Sequence, residues 1–547
     1  MTDQTTSTTT TFTPPGPGQW ALDRSHFPGG TTPIYQELMT ATLADGMRRV
    51  FAEVGVPALE IRAAFVDGFM YTRLIPLIGG DKPPGKLPPA PVLKLVTRIH
   101  PEFRKRAKAA TAALEQRTHL DMVDEWTTTI RPRTVAANSE FQAVDVDSID
   151  DAALAAHIGE LLDHLTECTE LHFYLHGYDL GPIARYLHHA IGWGLEPTDA
   201  TAALAGASPS TSRPTIRLCR LRGLIEAAGR EVTTLDDIRS ISPEAASVLD
   251  EHIAEHGYVV ATGYDITSFT LIEMPGALIG SIRSAEPPPT TDVDLATRLR
   301  DAVPAGSRDE FDQLLADARA VMDMRDDNGP QTVEWPTGLL RRALLAAGRR
   351  LAGRDELHEA DHALELTQAE ARRALIGSLP GADELAQRSA DRVASARLDP
   401  PSTLGPDEPE PPLDVMPKPL ADLVAVVKTS LTHLGMDGET TADPYQGVGV
   451  GQAPYTGRVC SAESADEAIE KLEPGDVLVV RATSPAFNAV LGIAGAVVTS
   501  SGGALSHAAV LARELGIPAV VGVRGALDIA DGSTVTVDPV AGRVDVS

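Results

Sequence analysis

Apolar residues recur at helical spacing through most of the chain and gather into short runs only towards its C-terminus. Behind Thr31, Thr32 and Pro33, the positions Ile34, Tyr35, Leu38, Met39, Leu43, Met47, Val50 and Phe51 predict an amphipathic helix with a proline start signal. Residues 66–76 read as a strand or as an irregular aromatic segment, and a Pro-rich loop over 80–91 gives way to a charged helix around 99–117. Helical spacing returns at 149–168, 218–228, 245–256, 295–324 and 339–351. Residues 398–419 crowd prolines among acidic residues, which predicts a semi-rigid extended linker, and a short helix follows. Beyond it the pattern changes to strands at 476–482, 496–499, 519–523, 534–538 and 543–546, with Gly475, Gly532 and Gly542 at turns.

This pattern predicts an α+β multidomain protein. Residues 1–25 are Thr/Pro-rich and expected as a disordered tail. A helical domain over 26–397, a linker with its short helix over 398–440 and a C-terminal unit over 441–547 follow. The formal charge of −29 and pI near 4.9 argue against nucleic-acid or anionic-membrane partners. Three well-separated cysteines, Cys168, Cys219 and Cys460, exclude a disulfide scaffold and suit a reducing compartment. No basic leader and no membrane-length apolar run is found, so a cytoplasmic location is expected.

The stretch 500–523, SSGGALSHAAVLARELGIPAVVGV, concentrates the chemistry. Gly502 and Gly503 allow a backbone to approach a ligand, Ser506 is the expected N-cap, and His507 falls on the first turn of a helix. Free N–H groups and the helix dipole there favour an anion and a neutral imidazole, a suitable phosphoryl acceptor. A histidine in a Gly-rich turn is also commonly a surface or capping residue, and local physics alone leaves both readings open. Residues 172–193 gather aromatic and histidine side chains. There His172, His176, Tyr178 and Asp179 either line a pocket in which one takes a proton from a hydroxyl, or form an aromatic packing cluster. Arg325, Arg341 and Arg342 suit phosphate binding or helix surfaces, with the surface reading favoured.

Two motifs are set aside. Residues 80–87, GDKPPGKL, put Gly80, Gly85 and Lys86 in P-loop register, but Leu87 replaces the Mg²⁺-binding hydroxyl and Pro88 and Pro89 oppose the helix that would face the phosphates. His358, Glu359 and His362 spell HExxH, yet Gln368 stands where a third ligand is wanted and the surroundings lack an apolar helix pattern. No metal site is expected.

The run Gly502-Gly503, Ser506-His507-Ala508 and Ala512 to Gly522 resembles the phosphohistidine swivelling domain of the PEP-utilising enzymes, the family of PEP synthase, pyruvate phosphate dikinase and rifampin phosphotransferase. Leu505 stands where the dikinases carry Thr, which points to small-molecule phosphorylation rather than pyruvate chemistry. The helical region is similar, more loosely, to the substrate region of the rifampin enzymes at 31–35, 204–211, 256–279, 324–328 and 355–370, the last of which gives the HExxH segment a structural place. The resemblance implies a β/β/α swivelling domain with His507 as phosphoryl acceptor and Gly502, Gly503, Ser506 and Arg513 around the phosphate. Substrate groups would come from His172, His176, Asp179 and Arg325. No stretch resembles the family's ATP-grasp domain. The chain therefore resembles the large subunit of phenylphosphate synthase and of the related 4-cresol-phosphorylating synthase, which implies a separate ATP-grasp subunit supplying ATP and Mg²⁺. The acceptor would be a small, phenolic hydroxyl compound. The competing readings are a non-catalytic phosphocarrier or regulatory subunit, a rifamycin-type antibiotic phosphotransferase and, most remote, an HExxH zinc hydrolase.

Overall fold

The computed structural model describes residues 11–23, 26–27, 29–81, 86–285, 287, 293–434, 443–462, 465–483, 487–503 and 506–546. Helix α1 (Pro33–Val54) starts on a proline whose missing N–H costs nothing there, and it ends at Gly55 in the left-handed region. Asp265 fixes its entry, accepting from Thr32 N at 2.8 Å and from Thr32 Oγ1 at 3.1 Å. Ile34, Tyr35, Leu38, Met39 and Leu43 pack into the main core, against the start of α2 (Asp151–Gly192). Asp150 caps α2 by accepting from Ala153 N, and the helix continues past Pro182. The predicted helix at 149–168 and the aromatic patch after it are thus one 42-residue element. Short α3 (Pro197–Ala202) and α4 (Pro209–Ala228) follow.

Helix α5 (Arg308–Gly329), a π-turn over Pro330–Glu334 and α6 (Trp335–Ala352) form one continuous rod beside α2. Pro330 and Pro336 cannot donate into a regular α ladder, and the wider π-turn absorbs the mismatch between them. Arg341, expected on a surface, is 6% exposed; it pairs with Glu273 at 3.0 Å and lies over the Phe269 ring. Arg342 donates to the carbonyls of Gln142 and Val144, so both arginines hold loops to α6.

The tail and linker expectations need correction. Of the tail, residues 1–10 and 24–25 lie outside the described residues. Trp20–Leu22 forms strand β1, and Phe12 packs edge-on to Phe69. Strands β2 (Ala58–Val66) and β3 (Phe69–Pro76) make a hairpin, with β1 between β3 and β4 (Thr403–Leu404). The presumed linker therefore supplies a sheet edge, where its prolines are tolerated. Arg73, 3% exposed, needs a counter-charge, and Glu408 from the same stretch provides it at 2.8 Å. Thr97 donates to Val415 O, and α7 (Lys418–Leu434) packs along α2 with His188 Nδ1 2.8 Å from Thr429 Oγ1. Residues 435–440 of the predicted linker lie outside the described residues.

The C-terminal domain is built on a seven-stranded sheet: β5 (Val448–Val450), β6 (Tyr455–Ser461), β7 (Val477–Val480), β8 (Ala496–Thr499), β9 (Ala519–Val521), β10 (Thr534–Asp538) and β11 (Arg543–Val546), in the order β11-β10-β6-β7-β8-β9-β5. Strands β6 to β9 are parallel. Every residue of β7 and β8 is buried, as their unbroken apolar runs require of strands covered on both faces. Helix α8 (His507–Leu515) and the Ala465–Lys471 helix cover one face. The other face closes over Val459, Val498, Val520 and Ile529. No helix among the described residues is long and apolar enough to cross a membrane.

Candidate active site

The His507 helix starts at the carboxyl end of the parallel strands, where ligands of open α/β sheets gather. Strand β8 ends at Thr499, and Ser500 and Ser501 both donate to Arg481 O, at 3.1 and 2.9 Å, which folds the loop back over β7. Gly502 sits at φ +111°, and a Cβ there would meet Ser506 at 2.9 Å, so only glycine serves. Ser506 N donates to Gly503 O, and Ser506 Oγ accepts from Ala509 N at 3.4 Å, the expected cap. His507 is the first residue of α8, so its backbone N–H belongs to the unsatisfied helix start. Leu505, the position that departs from the dikinases, lies outside the described residues. Arg513 is six residues on, about 9 Å along the axis from His507. Its guanidinium points elsewhere in the molecule, donating to Thr201 Oγ1 of α3 at 3.3 Å.

That hydrogen bond joins the two domains. Strand β5 packs on α3, and the Pro275–Ser284 helix packs on the Asn488–Leu491 turn. Helix α3 directly follows α2, and α2 carries the three histidine and aspartate positions singled out in the sequence. With spacings of four and three residues they share one face. Asp179 Oδ2 lies 2.9 Å from His176 Nδ1, His176 Nε2 lies 3.1 Å from His172 Nε2, and His172 Nδ1 lies 3.4 Å from Thr332 Oγ1. The partners assign the protons. His176 donates through Nδ1 to the fully buried Asp179 carboxylate, His172 donates through Nε2 to His176, and Thr332 donates to Asn328 O at 2.5 Å. His172 Nδ1 is left with its lone pair. Burial holds the His172 imidazole well below its usual value, His176 alongside adds to this, and the ring is neutral at pH 7. Asn328 Nδ2 fixes the backbone beneath, donating to His172 O at 3.1 Å.

Arg325 does not join this chain of hydrogen bonds. It lies beside Asp326, whose carboxyl burial pushes up to about 6 against the pull of Arg325 and Ser208. Sequence reading also passed over Glu334, the last residue of the π-turn. It is 3% exposed, and burial alone pushes its carboxyl up to about 8. A Cβ on Gly329 would lie 3.2 Å from Glu334 Oε1 and 4.0 Å from His172 Cε1, so the glycine keeps open the space between the two groups. A charged residue in a helical pattern reads as a solvated face. Only the π-turn, signalled by Pro330 and Pro336, turns this one inward.

The folded protein holds the Glu334 proton more tightly than the unfolded chain, whose carboxyl titrates near an ordinary 4.5. The resulting stability is complete below about pH 4.5 and is lost as pH rises through 8. Wild-type melting temperature is therefore expected to fall relative to that of Glu334→Gln between pH 5 and 8 in calorimetric scans. Parallel curves would show that the carboxyl titrates normally.

The HExxH segment does not form the helix that a zinc site of that kind requires. Glu359 is extended, and Ala360–Glu365 is a 3₁₀ turn, so His358 and His362 do not share a helix face. His358 pairs with Asp383 at 2.6 Å. Glu359, Asp361 and His362 do stand close enough to share an ion, but at an exposed corner. After Pro89 the chain enters a helix only at Ala90, and Gly85 lies outside the described residues.

Residues 472–542, from the edge of β7 through α8 to the β10–β11 turn, match the family described as PEP-utilising enzyme, mobile domain. The chain carries the mobile domain of the PEP-utilising enzymes. Chondramide synthase cmdD of Chondromyces crocatus is 26% identical over 568 aligned residues, covering 96% of this chain and 14% of the synthase. Phosphoenolpyruvate synthase of Aeropyrum pernix is 46% identical over 100 residues, 18% of this chain and 12% of that one. The uncharacterized phosphotransferase YvkC of Bacillus subtilis is 40% identical over 111 residues, 20% of this chain and 13% of its own length. The chain thus spans only a small share of the relatives it matches. The likeness to the mobile domain covers the Gly502–His507 loop, and the likeness to chondramide synthase extends through the helical domain.

Proposed function

We propose that this chain is a phosphotransferase that accepts a phosphoryl group on His507 and passes it to the hydroxyl of a small, phenolic molecule held in the helical domain. The phosphoryl group would come from ATP on a separate ATP-grasp subunit with Mg²⁺, leaving AMP and phosphate. The observation that carries the reading is the pairing of two features in one chain. The mobile-domain helix start is a phosphoryl-acceptor setting, and the Asp179–His176–His172 chain is a general-base setting.

The transfer step follows from these residues. His172 Nδ1 takes the proton of the acceptor hydroxyl as the oxygen forms its bond to phosphorus. The P–N bond to His507 breaks, and its electron pair returns to the imidazole. His176 and Asp179 are positioning residues: they stabilise the cation that forms on His172, the Asp179 carboxylate acting through the His176 ring. Loop N–H groups around Gly502, Gly503 and Ser506 would hold the phosphate. Arg513 would act at the domain contact with Thr201. Arg325 would offset the carboxylates around Asp326. The mobile domain would leave that contact to reach the ATP-grasp subunit. A relative named for making chondramide suits an acceptor that is a biosynthetic small molecule.

The test is to incubate the chain with β-³²P ATP, Mg²⁺ and the ATP-grasp subunit, and to map the label. Acid-labile, base-stable phosphate on the peptide holding His507 is expected. Label on any other peptide, or none, would contradict the reading.

A further inference from the structure

Among the described residues, every buried carboxylate of the helical domain other than Glu334 has a basic partner: Asp179 has His176, and the rest have guanidinium groups. Glu60 pairs with Arg48 and Arg62, Asp317 with Arg117, Asp327 with Arg131, and Glu365 with Arg392. Glu334 is as buried as these, yet among the described residues its carboxyl makes no hydrogen bond and no ion pair. Nor is it sealed in protein. Its oxygens are not among the buried side-chain atoms shut off without a partner, so they keep a little accessible surface. A Cβ built on Gly329 would lie 3.2 Å from Glu334 Oε1 and 4.0 Å from His172 Cε1, so the two groups stand within about 7 Å of each other.

The bases nearby do not serve as counter-ions. His172 is neutral, and His26 is taken by Asp23 at 2.9 Å. Aromatic rings stand nearby: Tyr264 has its ring centroid 6.4 Å from that of Phe27 and 5.4 Å from that of His26, and Glu334 is close enough to oppose its ionisation. An unpaired buried carboxyl is costly to ionise unless a ligand brings the missing charge.

We propose that Glu334 recognises a protonated amine on the acceptor, so that the pocket takes a compact aromatic compound carrying an amine and a hydroxyl a few bonds apart. The amine meets the Glu334 carboxylate while the hydroxyl faces His172. This rests on the helical domain being the acceptor domain, and it narrows the acceptor from phenols in general to amino-hydroxy compounds. Ammonium entry recruits the carboxylate to its charged form, which makes the contact a charge-assisted hydrogen bond.

The experiment is calorimetric titration of the full chain with 2-(aminomethyl)phenol and with 2-ethylphenol, which share a shape and differ in charge. Wild type is expected to bind the amine at least about tenfold more tightly, the usual worth of a hydrogen bond to a charged group. Glu334→Gln, isosteric with the protonated acid, should bind both compounds within about threefold of each other while keeping its affinity for 2-ethylphenol, since about 0.65 kcal/mol separates a threefold ratio from none. His507→Ala, which cannot be charged, should keep the wild-type preference, so the pocket is read independently of phosphoryl transfer. Equal affinities in wild type, a preference surviving in Glu334→Gln, or no binding of either compound would overturn the proposal.

Discussion

Substituting alanine for His507 is expected to abolish labelling of the chain by β-³²P ATP and to reduce phosphorylation of any acceptor to background, with the fold unchanged. The argument is local. His507 opens α8 at the carboxyl end of β8, and the helix is held by Ser506 as its cap and by Ala508, Ala509 and Ala512 in the core. Alanine is a good helix former and disturbs none of these contacts. The melting temperature should stay within about 2 °C of wild type. Labelling falls completely because the only P–N bond in the route is lost. Full labelling of the variant would remove His507 from the mechanism.

The second large effect separates the two half-reactions. His172→Ala should leave the rate at which His507 is charged unchanged and slow transfer to the acceptor by about 10²–10⁴-fold, the range for a positioned general base. Asp179→Asn should slow the same step by less, since it acts through His176, and it should displace the pH profile of transfer without changing that of charging. His176→Gln, which keeps a donor and an acceptor in the space between its neighbours, should recover part of the rate lost in His176→Ala. A purely structural role for these residues predicts equal losses in both half-reactions, or loss of folded protein. Rapid-quench measurement of each half-reaction decides between them.

Much of the architecture is legible along the chain because its elements carry strong local signals. The apolar positions from Ile34 to Phe51 and the proline start at Pro33 mark α1. The apolar run at 496–499 and the alternating valines at 534–538 mark β8 and β10 with their observed bounds. Strands β5 and β6 escape notice because glycines and polar residues interrupt them, and their membership depends on partners far away in sequence: Val521 for β5, Leu478 and Thr536 for β6. Strands β1 and β4 are too short to show any period. Their pairing brings Trp20 to Leu404, a long-range contact that no local window contains. For the same reason the proline-rich stretch reads as a free linker, although Glu408 anchors it on Arg73.

The site divides along similar lines. His172, His176 and Asp179 are legible as neighbours because helical spacing alone puts them on one face. That they form a hydrogen-bonded chain whose free end, His172 Nδ1, stands beside Thr332 depends on α5 and the π-turn packing alongside α2. Glu334 is illegible because its burial is a property of the π-turn rather than of its neighbours in sequence. Arg341 misleads in the same way, since its counter-charge Glu273 lies on a separate loop. The loop around His507 is legible at the level of chemistry, because glycine, a capping serine and a histidine in that order describe an anion site by themselves.

Following the phosphoryl group directly tests the two-domain relay. The chain is charged with β-³²P ATP through the ATP-grasp subunit, freed of nucleotide, mixed with an acceptor phenol and quenched over a single turnover. The relay predicts that label leaves the His507 peptide at the same rate as it appears in an acid-stable phosphate ester of the acceptor. Label that stays on the chain with every hydroxyl compound offered, or that is released only as inorganic phosphate, would contradict it and leave a phosphocarrier in its place.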